Sequence, residues 1–326
     1  MPIRHLTARC TAAAAGVAFA SAFLAPTASG QTAAAPITSS LQIVVEKPAG
    51  TPVLQGDRWT VLAVTPQYVA GTTVRVSFTA GARRVTESVP LQVAGDSARG
   101  IARLPIPDRL RRAARVVVRA EIPDGQPVAA TAAPTTIVSQ VPTTLRPGAR
   151  GLGTRVLQQM LTRNAYVVGR EGVYDARTQR AVLALRKVSG LQASTAATPG
   201  VFRTLRAGKG RIAVKFPTHG RHIEVDVDRR VLIEVDGGKP LRIFHTSPGK
   251  PSTPTIRGSF RVYRKDPGTN ALGMFKSSYF IRGYAVHGYP SVPAGYSASH
   301  GCLRVPMADA ASIYAFMTLG MPVDTY

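Results

Sequence analysis

The C-terminal third of the chain contains a histidine and a cysteine whose types and spacing suit a thiol nucleophile and its base. Cys302 follows His287 by fifteen residues, and Gly301 directly precedes the cysteine. A thiol attacks only as its thiolate, so an imidazole that accepts the proton activates it. Gly301 suits a tight turn whose consecutive N–H groups converge on one point, where an oxyanion would be held. The pattern predicts a cysteine nucleophile that forms a tetrahedral intermediate.

The histidine also needs a group that orients its ring. No acidic residue occurs between His287 and Asp309, so a backbone carbonyl is the expected orienting group. Two other interpretations stay open. Taken singly, His287 is more often an ordinary histidine at a strand end, and Cys302 a small buried residue. Together with His300, they could also be three ligands of a zinc ion with an open fourth position.

The first thirty residues have the three-part layout of a secretory signal peptide. Arg4 and Arg9 precede an apolar run from Thr11 to Ala25, and Ala28-Ser29-Gly30 supplies small residues for cleavage. The run has about 15 residues and is mostly alanine, whereas a membrane-spanning helix needs about 20 strongly apolar ones. We therefore predict that residues 1–30 are removed, with no stable membrane span after cleavage.

Removal of the signal peptide decides how the cysteines are interpreted. Cys10 precedes the apolar run and leaves with it, so Cys302 is the one cysteine of the mature chain. Exported proteins usually pair their cysteines, and an unpaired one is a reactive thiol or an intermolecular partner. The sequence therefore predicts a secreted protein with a reactive thiol, and an inert buried cysteine is the alternative.

The formal net charge of the chain is +24 at pH 7. Such a surface attracts polyanions. An exported protein meets anionic cell-wall polymers first, and few aromatic residues lie among the arginines to stack on bases, so we expect no nucleic-acid partner. The alternative is that the arginine content only reflects the composition of the source genome. With 326 residues, the chain is long enough for two or three domains, each with its own core.

Residues 41–140 show the alternation of half-buried strands. Val74, Val76 and Phe78 alternate with polar residues, and clusters such as Pro123-Asp124-Gly125 separate the apolar runs. The pattern predicts a small antiparallel β-sandwich. This segment contains no histidine or cysteine, which indicates a spacer or interaction module.

The period changes to that of helices in residues 145–208. Apolar residues around Leu157 share one helix face, a second helix is predicted to begin at Asp175 and end at Gly190, and a third begins at Thr198-Pro199. These signals predict a compact unit of three helices.

Strands return in residues 211–326. Apolar and acidic residues alternate over 223–228, and an apolar run at 231–235 follows a polar turn, which predicts a hairpin. One helix is predicted at 308–319. We therefore expect a multidomain chain whose last domain is mainly β.

The helical unit resembles the three-helix peptidoglycan-binding module that occurs beside many cell-wall enzymes. The resemblance covers about a fifth of the chain and rests on Leu145-Arg146-Pro147-Gly148, Val156-Leu157-Gln158-Gln159 and Gly172-Val173-Tyr174-Asp175. No ligand contacts are assigned within this module.

The last domain resembles the L,D-transpeptidase (YkuD-like) catalytic domain. The resemblance spans residues 211–326 and rests on His287-Gly288, a ten-residue loop and Ser299-His300-Gly301-Cys302-Leu303-Arg304, with Ser247-Pro248-Gly249, Thr253-Pro254 and Gly258 upstream. It departs from the family pattern in two places. An additional residue separates Thr253-Pro254 from Gly258, and position 288 is glycine where some members have serine.

This resemblance implies a role for each matching residue. Cys302 would be the nucleophile, His287 its base, the Gly288 carbonyl the orienting group, and the N–H groups of Gly301 and Cys302 the oxyanion donors. The residues expected to contact substrate are His300, Arg304, Ser299 and Tyr289. The family works without a metal or another cofactor, so none is expected here.

The implied substrate is a peptidoglycan stem peptide, and the implied location is the extracytoplasmic cell envelope, in the cell wall or the periplasm. The family reaction releases D-alanine, leaves a thioester, and resolves it with a stem amine to a 3→3 cross-link. Water or a protein amine could resolve the thioester instead. A non-catalytic cell-wall-binding protein is the remaining alternative.

Overall fold

The structure, a computed structural model, describes residues 40–48, 52–95 and 97–326. The predicted signal peptide, residues 1–30, lies outside the described residues. Within those ranges the chain is mainly β with four α-helices, which confirms the mainly β class predicted from the sequence. No helix there is long and apolar enough to cross a membrane.

The N-terminal strands form two antiparallel sheets around one core. These strands are β1 (Gln42–Glu46), β2 (Thr60–Thr65), β3 (Thr73–Ala80), β4 (Arg83–Pro90), β5 (Gln92–Val93), β6 (Gly100–Pro105), β7 (Arg115–Ile122), β8 (Thr131–Ala132) and β9 (Thr136–Ser139). One sheet has the order β1-β2-β6-β5, and the other has the order β4-β3-β7-β8 with β9 also paired to β7. Val74, Val76 and Phe78 on β3 are fully buried in the core, as their alternation with polar residues predicts.

Three helices follow the two sheets. They are α1 (Leu152–Thr162), α2 (Ala176–Val188) and α3 (Pro199–Arg206). The predicted start of α2 is confirmed, because the Asp175 carboxylate accepts a hydrogen bond from the Thr178 N–H at 2.8 Å. Its predicted end is confirmed by Gly190, which takes the left-handed conformation after the helix. Pro199 opens α3, where a missing N–H is harmless.

The C-terminal segment forms two further sheets and one helix. Its elements are β10 (His222–Asp226), β11 (Val231–Asp236), β12 (Lys239–His245), β13 (Gly258–Arg261), β14 (Arg264–Thr269), β15 (Phe275–Ile281), β16 (Tyr284–Tyr289), β17 (Leu303–Pro306), α4 (Met307–Phe316) and β18 (Pro322–Thr325). The sheet orders are β12-β11-β10-β18-β13 and β14-β15-β16-β17. The predicted hairpin is the antiparallel pair β10–β11. The predicted end of the last helix is wrong by three residues, because Met317 already has an extended backbone.

The helices share a hydrophobic core with one face of β11 and β12. The shared cluster includes Leu157, Val182, Leu185 and Phe202 from the helices and Val231, Ile233, Val235 and Ile243 from the sheet. Leu232, on the other face of β11, belongs to the core that α4 covers. The sheet is therefore covered on both faces. The helical segment therefore shares its core with the sheet of the C-terminal segment.

A buried carboxylate also joins the helical segment to the C-terminal segment. Asp309, in the first turn of α4, lies 3.0 Å from Arg177 Nε and 2.9 Å from Arg180 Nε, and both arginines are on α2. A charge removed from water is tolerated when such partners surround it. The contact fixes α2 to the helix that packs on β16.

Candidate active site

Parallel pairing of β16 and β17 places the two predicted catalytic side chains on one sheet face. Val286 pairs with Leu303, and both point into the core. Because side chains alternate along a strand, His287 and Cys302 point to the other face. His287 lies on β16 and Cys302 directly precedes β17, so the two residues are diagonal neighbours across the parallel pair.

The imidazole of His287 is buried and has one clear orienting contact. Its Nδ1 atom donates a hydrogen bond to the carbonyl oxygen of Gly288 at 2.9 Å. The ring therefore carries its proton on Nδ1 and presents the lone pair of Nε2. Burial lowers the pKa of His287 to about 4, the bond to Gly288 raises it, and the charge of Arg304 lowers it. At neutral pH the imidazole is uncharged and able to accept a proton.

The thiol of Cys302 is half-buried and packs against Met274, Tyr279 and Ala285. It donates a weak hydrogen bond to the Gly283 carbonyl oxygen at 3.7 Å. Burial raises the pKa of this thiol, although a backbone hydrogen bond at Ala285 and the charge of Arg304 lower it. The thiol and the imidazole are therefore both neutral at rest, so the proton has to move during the attack.

Hydrogen bonds inside the turn before Cys302 already use one of the predicted oxyanion donors. The Gly301 N–H donates to Ser299 Oγ at 3.0 Å, and Ser299 Oγ donates to the Cys302 carbonyl oxygen at 2.5 Å. Of the two predicted oxyanion donors, the Cys302 N–H is therefore the one left to bind an oxyanion. Ser299 is buried, and its hydroxyl organises the turn; its expected contact with substrate stays a prediction.

Two glycines of the motif are required by close contacts. Gly301 has φ +117°, and a Cβ there would lie 2.3 Å from Cε1 of Tyr284. A Cβ on Gly288 would lie 2.7 Å from the Cβ of Ala310 on α4. Neither position accommodates a side chain without movement of its neighbours. The glycine at position 288, where some family members have serine, therefore lets α4 approach β16.

Arg304 and Tyr289 lie beside the histidine. The Arg304 guanidinium carbon is 4.0 Å from the centroid of the Tyr289 ring, a cation–π contact. The same ring meets the His287 imidazole edge-on, with centroids 5.7 Å apart. In the part of the chain that the structure describes, Arg304 pairs with no carboxylate, so its guanidinium is available to an anionic ligand.

His300 lies apart from the other two predicted zinc ligands. Its side chain is exposed, and its Nε2 atom accepts a hydrogen bond from Lys250 Nζ at 3.1 Å. Among residues 40–48, 52–95 and 97–326, no group of three or more His, Cys, Asp and Glu side chains could hold a metal ion. The zinc alternative therefore has no set of ligands in this geometry.

The sequence pattern did not indicate three residues that contact the turn. They are Lys250, Tyr284 and Thr255, whose Oγ1 donates to the Gly301 carbonyl oxygen at 2.8 Å. Thr255 directly follows the Thr253-Pro254 motif, and this position is the one signal that could have indicated it. Lys250 and Tyr284 reach the turn through chain folding alone.

Comparisons with known proteins identify the family of the chain. Residues 220–324 match the family model for the L,D-transpeptidase catalytic domain (YkuD). An L,D-transpeptidase structure from Xylanimonas cellulosilytica is 32% identical with a TM-score of 0.53, and the match covers 57% of this chain and 98% of that chain. The 57% of this chain that matches the Xylanimonas structure is more than the segment 220–324 that matches the family model. No curated protein matches the chain.

Two further L,D-transpeptidase structures are similar over a smaller share. L,D-transpeptidase 1 of Mycobacterium tuberculosis is 23% identical with a TM-score of 0.27, and the match covers 33% of this chain and 61% of that chain. The C442S mutant of the Enterococcus faecium enzyme is 24% identical with a TM-score of 0.29, and the match covers 33% and 50%. The assignment rests on the family model and the Xylanimonas structure. The chain belongs to the L,D-transpeptidase family.

Proposed function

We propose that this protein cross-links peptidoglycan stem peptides by acyl transfer through a thioester on Cys302. Family membership supports peptidoglycan transpeptidation in general. The observation that carries the finer proposal is the hydrogen bond from His287 Nδ1 to the Gly288 carbonyl at 2.9 Å. It leaves Nε2 free to accept a proton on the sheet face that carries Cys302, which supports a base beside a nucleophile.

In the proposed acylation, His287 removes the thiol proton as sulfur attacks the carbonyl between the third residue, a diamino acid, and the fourth, D-alanine. The Cys302 N–H stabilises the oxyanion of the tetrahedral intermediate. When the intermediate collapses, the bond to the D-alanine nitrogen breaks and His287 gives its proton to that nitrogen. D-alanine leaves, and the thioester remains.

In the proposed second half, an amine of a neighbouring stem attacks the thioester and gives a proton to His287. The carbon–sulfur bond breaks, the proton returns to sulfur, and a 3→3 cross-link forms. In the resting state the thiol contacts Gly283, so it exchanges this contact for one with Nε2 when substrate binds. Catalytic hydrogen bonds commonly tighten in this way in the substrate complex.

Substrate recognition is assigned to the groups around this pair. Arg304 would bind a stem-peptide carboxylate through its forked guanidinium, with Tyr289 holding the guanidinium from one side. His300, on the exposed rim with Lys250, would shape the entrance. We place the mature chain outside the cytoplasm, in the cell envelope, where its positive charge suits anionic wall polymers.

Disaccharide-tetrapeptide fragments of peptidoglycan test the proposal. The purified mature protein and Cys302→Ala are each incubated with the fragments, and the products are followed by mass spectrometry. We expect a dimer that is lighter than two monomers by one D-alanine, and we expect it to be absent with Cys302→Ala. A chelator should leave the activity unchanged, because the mechanism uses no metal.

Other products would support the alternatives. Tripeptide alone would indicate an L,D-carboxypeptidase in which water resolves the thioester. No product that depends on Cys302 would overturn the enzyme proposal and leave a non-catalytic cell-wall-binding protein.

A further inference from the structure

Lys187 on α2 is a buried lysine whose three hydrogen-bond acceptors are all uncharged. It is 6% exposed. Its ammonium lies 2.6 Å from Nδ1 of His245, and it donates to the carbonyl oxygens of Arg230 at 3.3 Å and Thr246 at 3.4 Å. Burial lowers the pKa of Lys187 to about 7, and the charge of Arg230 lowers it too. Burying an amine in this way is costly, so apolar packing alone does not explain the residue.

The contact with Lys187 determines which nitrogen of His245 carries the proton. An ammonium has donors and no acceptor, so Nδ1 of His245 is the acceptor. The proton of His245 is therefore on Nε2, which donates to the carbonyl oxygen of Val292 at 3.1 Å. Burial lowers the pKa of His245 to about 3, and the charge of Lys187 lowers it further, so the ring stays neutral. A directed chain of hydrogen bonds runs from α2 to Val292.

Val292 lies in the loop of residues 290–298, here named the connecting loop, which joins the strand of His287 to the turn of Cys302. The far end of this loop is also held by the segment after β12. Ser247 Oγ donates to the Tyr296 carbonyl oxygen at 3.1 Å and accepts from the Ala298 N–H at 3.2 Å. The segment 245–247 therefore fixes the connecting loop near its start and at its end.

We propose that Lys187 is a positioning residue that fixes the connecting loop through His245. The helical segment then belongs to the catalytic unit, because α2 determines the position of the loop between the base and the nucleophile. The expected effect of Lys187 on turnover rests on the proposed function. Its expected effect on the position of the connecting loop does not depend on that function.

Amide hydrogen exchange of the mature protein, read by mass spectrometry, tests the effect on the loop. Lys187→Met keeps an apolar stem and removes the donors, and His245→Phe keeps a ring and removes both contacts. Exchange in residues 290–298 should rise roughly tenfold in each variant, as expected for one lost hydrogen bond. Exchange in β3 should not change. Lys209→Met, at an exposed lysine, is the control and should match the wild type.

Two more variants show whether Lys187 acts through His245. The double variant Lys187→Met with His245→Phe should exchange at about the same rate as either single variant, because both changes break one chain of contacts. His245→Gln, whose amide has a donor and an acceptor, should stay within about threefold of the wild type. This conservative variant keeps the test valid if a larger change prevents folding.

Turnover provides the second measurement. In Lys187→Met, kcat for cross-linking should fall roughly tenfold with KM nearly unchanged, as expected for a residue that positions the reacting groups without touching substrate. Unchanged exchange in the connecting loop would overturn the inference, and so would an equal rise across the whole chain. If the wild type has no turnover, the proposed function fails, and the exchange result still decides the role of Lys187.

Discussion

The carbonyl oxygen of Gly288 accepts a hydrogen bond from Nδ1 of the preceding residue, His287, at 2.9 Å. In other nucleophile–base systems a carboxylate has this orienting role, but a backbone carbonyl can be supplied by any residue. Position 288 must nevertheless be glycine for a second reason. A Cβ there would lie 2.7 Å from the Cβ of Ala310. Gly288 therefore orients the base with its carbonyl and admits α4 by having no Cβ.

Gly288→Ala should keep the carbonyl and push α4 away from β16. Overpacking of this kind costs about 1–3 kcal/mol, and movement of β16 displaces His287, so turnover should fall as well. Denaturant unfolding and cross-linking assays measure the two effects. Gly295→Ala is the matched control, since nothing lies within 4 Å of a Cβ built there. Equal stabilities of the two variants would contradict the packing argument.

Ser299→Ala should destabilise the turn before Cys302. It removes the partner of the Gly301 N–H and of the Cys302 carbonyl, which costs about 1–3 kcal/mol when such groups are buried. We expect a lower melting temperature and a lower kcat. Ser291→Ala, at an exposed serine of the connecting loop, should change neither. A raised KM with unchanged stability would instead show that Ser299 contacts substrate.

The alkylation rate of Cys302 should rise steadily with pH through neutrality. Burial raises the pKa of the thiol and lowers that of His287 to about 4, so the pair is neutral, and the thiolate fraction grows about tenfold per pH unit below the thiol pKa. Iodoacetamide labelling followed by mass spectrometry measures this. His287→Ala should leave the profile unchanged and abolish turnover. A plateau between about pH 5 and 7 would reveal a thiolate–imidazolium pair.

Asp309→Ala should loosen the contact between α2 and α4. It leaves Arg177 and Arg180 without their buried partner, and breaking such a cluster costs about 2 kcal/mol or more. Asp266→Ala removes a carboxylate from an exposed pair with Arg264 and should cost far less, because solvent screens such a pair. Urea unfolding of both variants gives the comparison, and similar losses would refute the role of the cluster.

Lys187→Met should change how stability depends on pH. The unfolded lysine titrates at 10.5 and the folded one at about 7, so between these values the unfolded state binds more protons and stability rises with pH. The variant lacks this rise. Between about pH 7 and pH 10, the free energy of unfolding of the wild type should therefore increase relative to that of the variant, by at most about 1.4 kcal/mol per pH unit. Unfolding curves at several pH values measure this difference in the free energy of unfolding. A difference that stayed constant with pH would contradict the prediction.

The sequence by itself determined the parts of the protein that depend on residues close in the chain. Alternation predicted β3, a carboxylate at Asp175 predicted the start of α2, and the Ser299 to Arg304 motif predicted the turn that carries the cysteine. The carbonyl orienting His287 followed from the lack of a nearby acid. Each of these features is local, so periodicity and spacing contain the information.

Only the tertiary structure decided which polar groups meet and which cores merge. Lys187 contacts a histidine 58 positions away, and Arg177 contacts an aspartate 132 positions away. It also decided that the Gly301 N–H is occupied by Ser299 and that the helices share a core with β11 and β12. Such contacts depend on how separate elements pack, and neither composition nor period specifies which faces will be buried together.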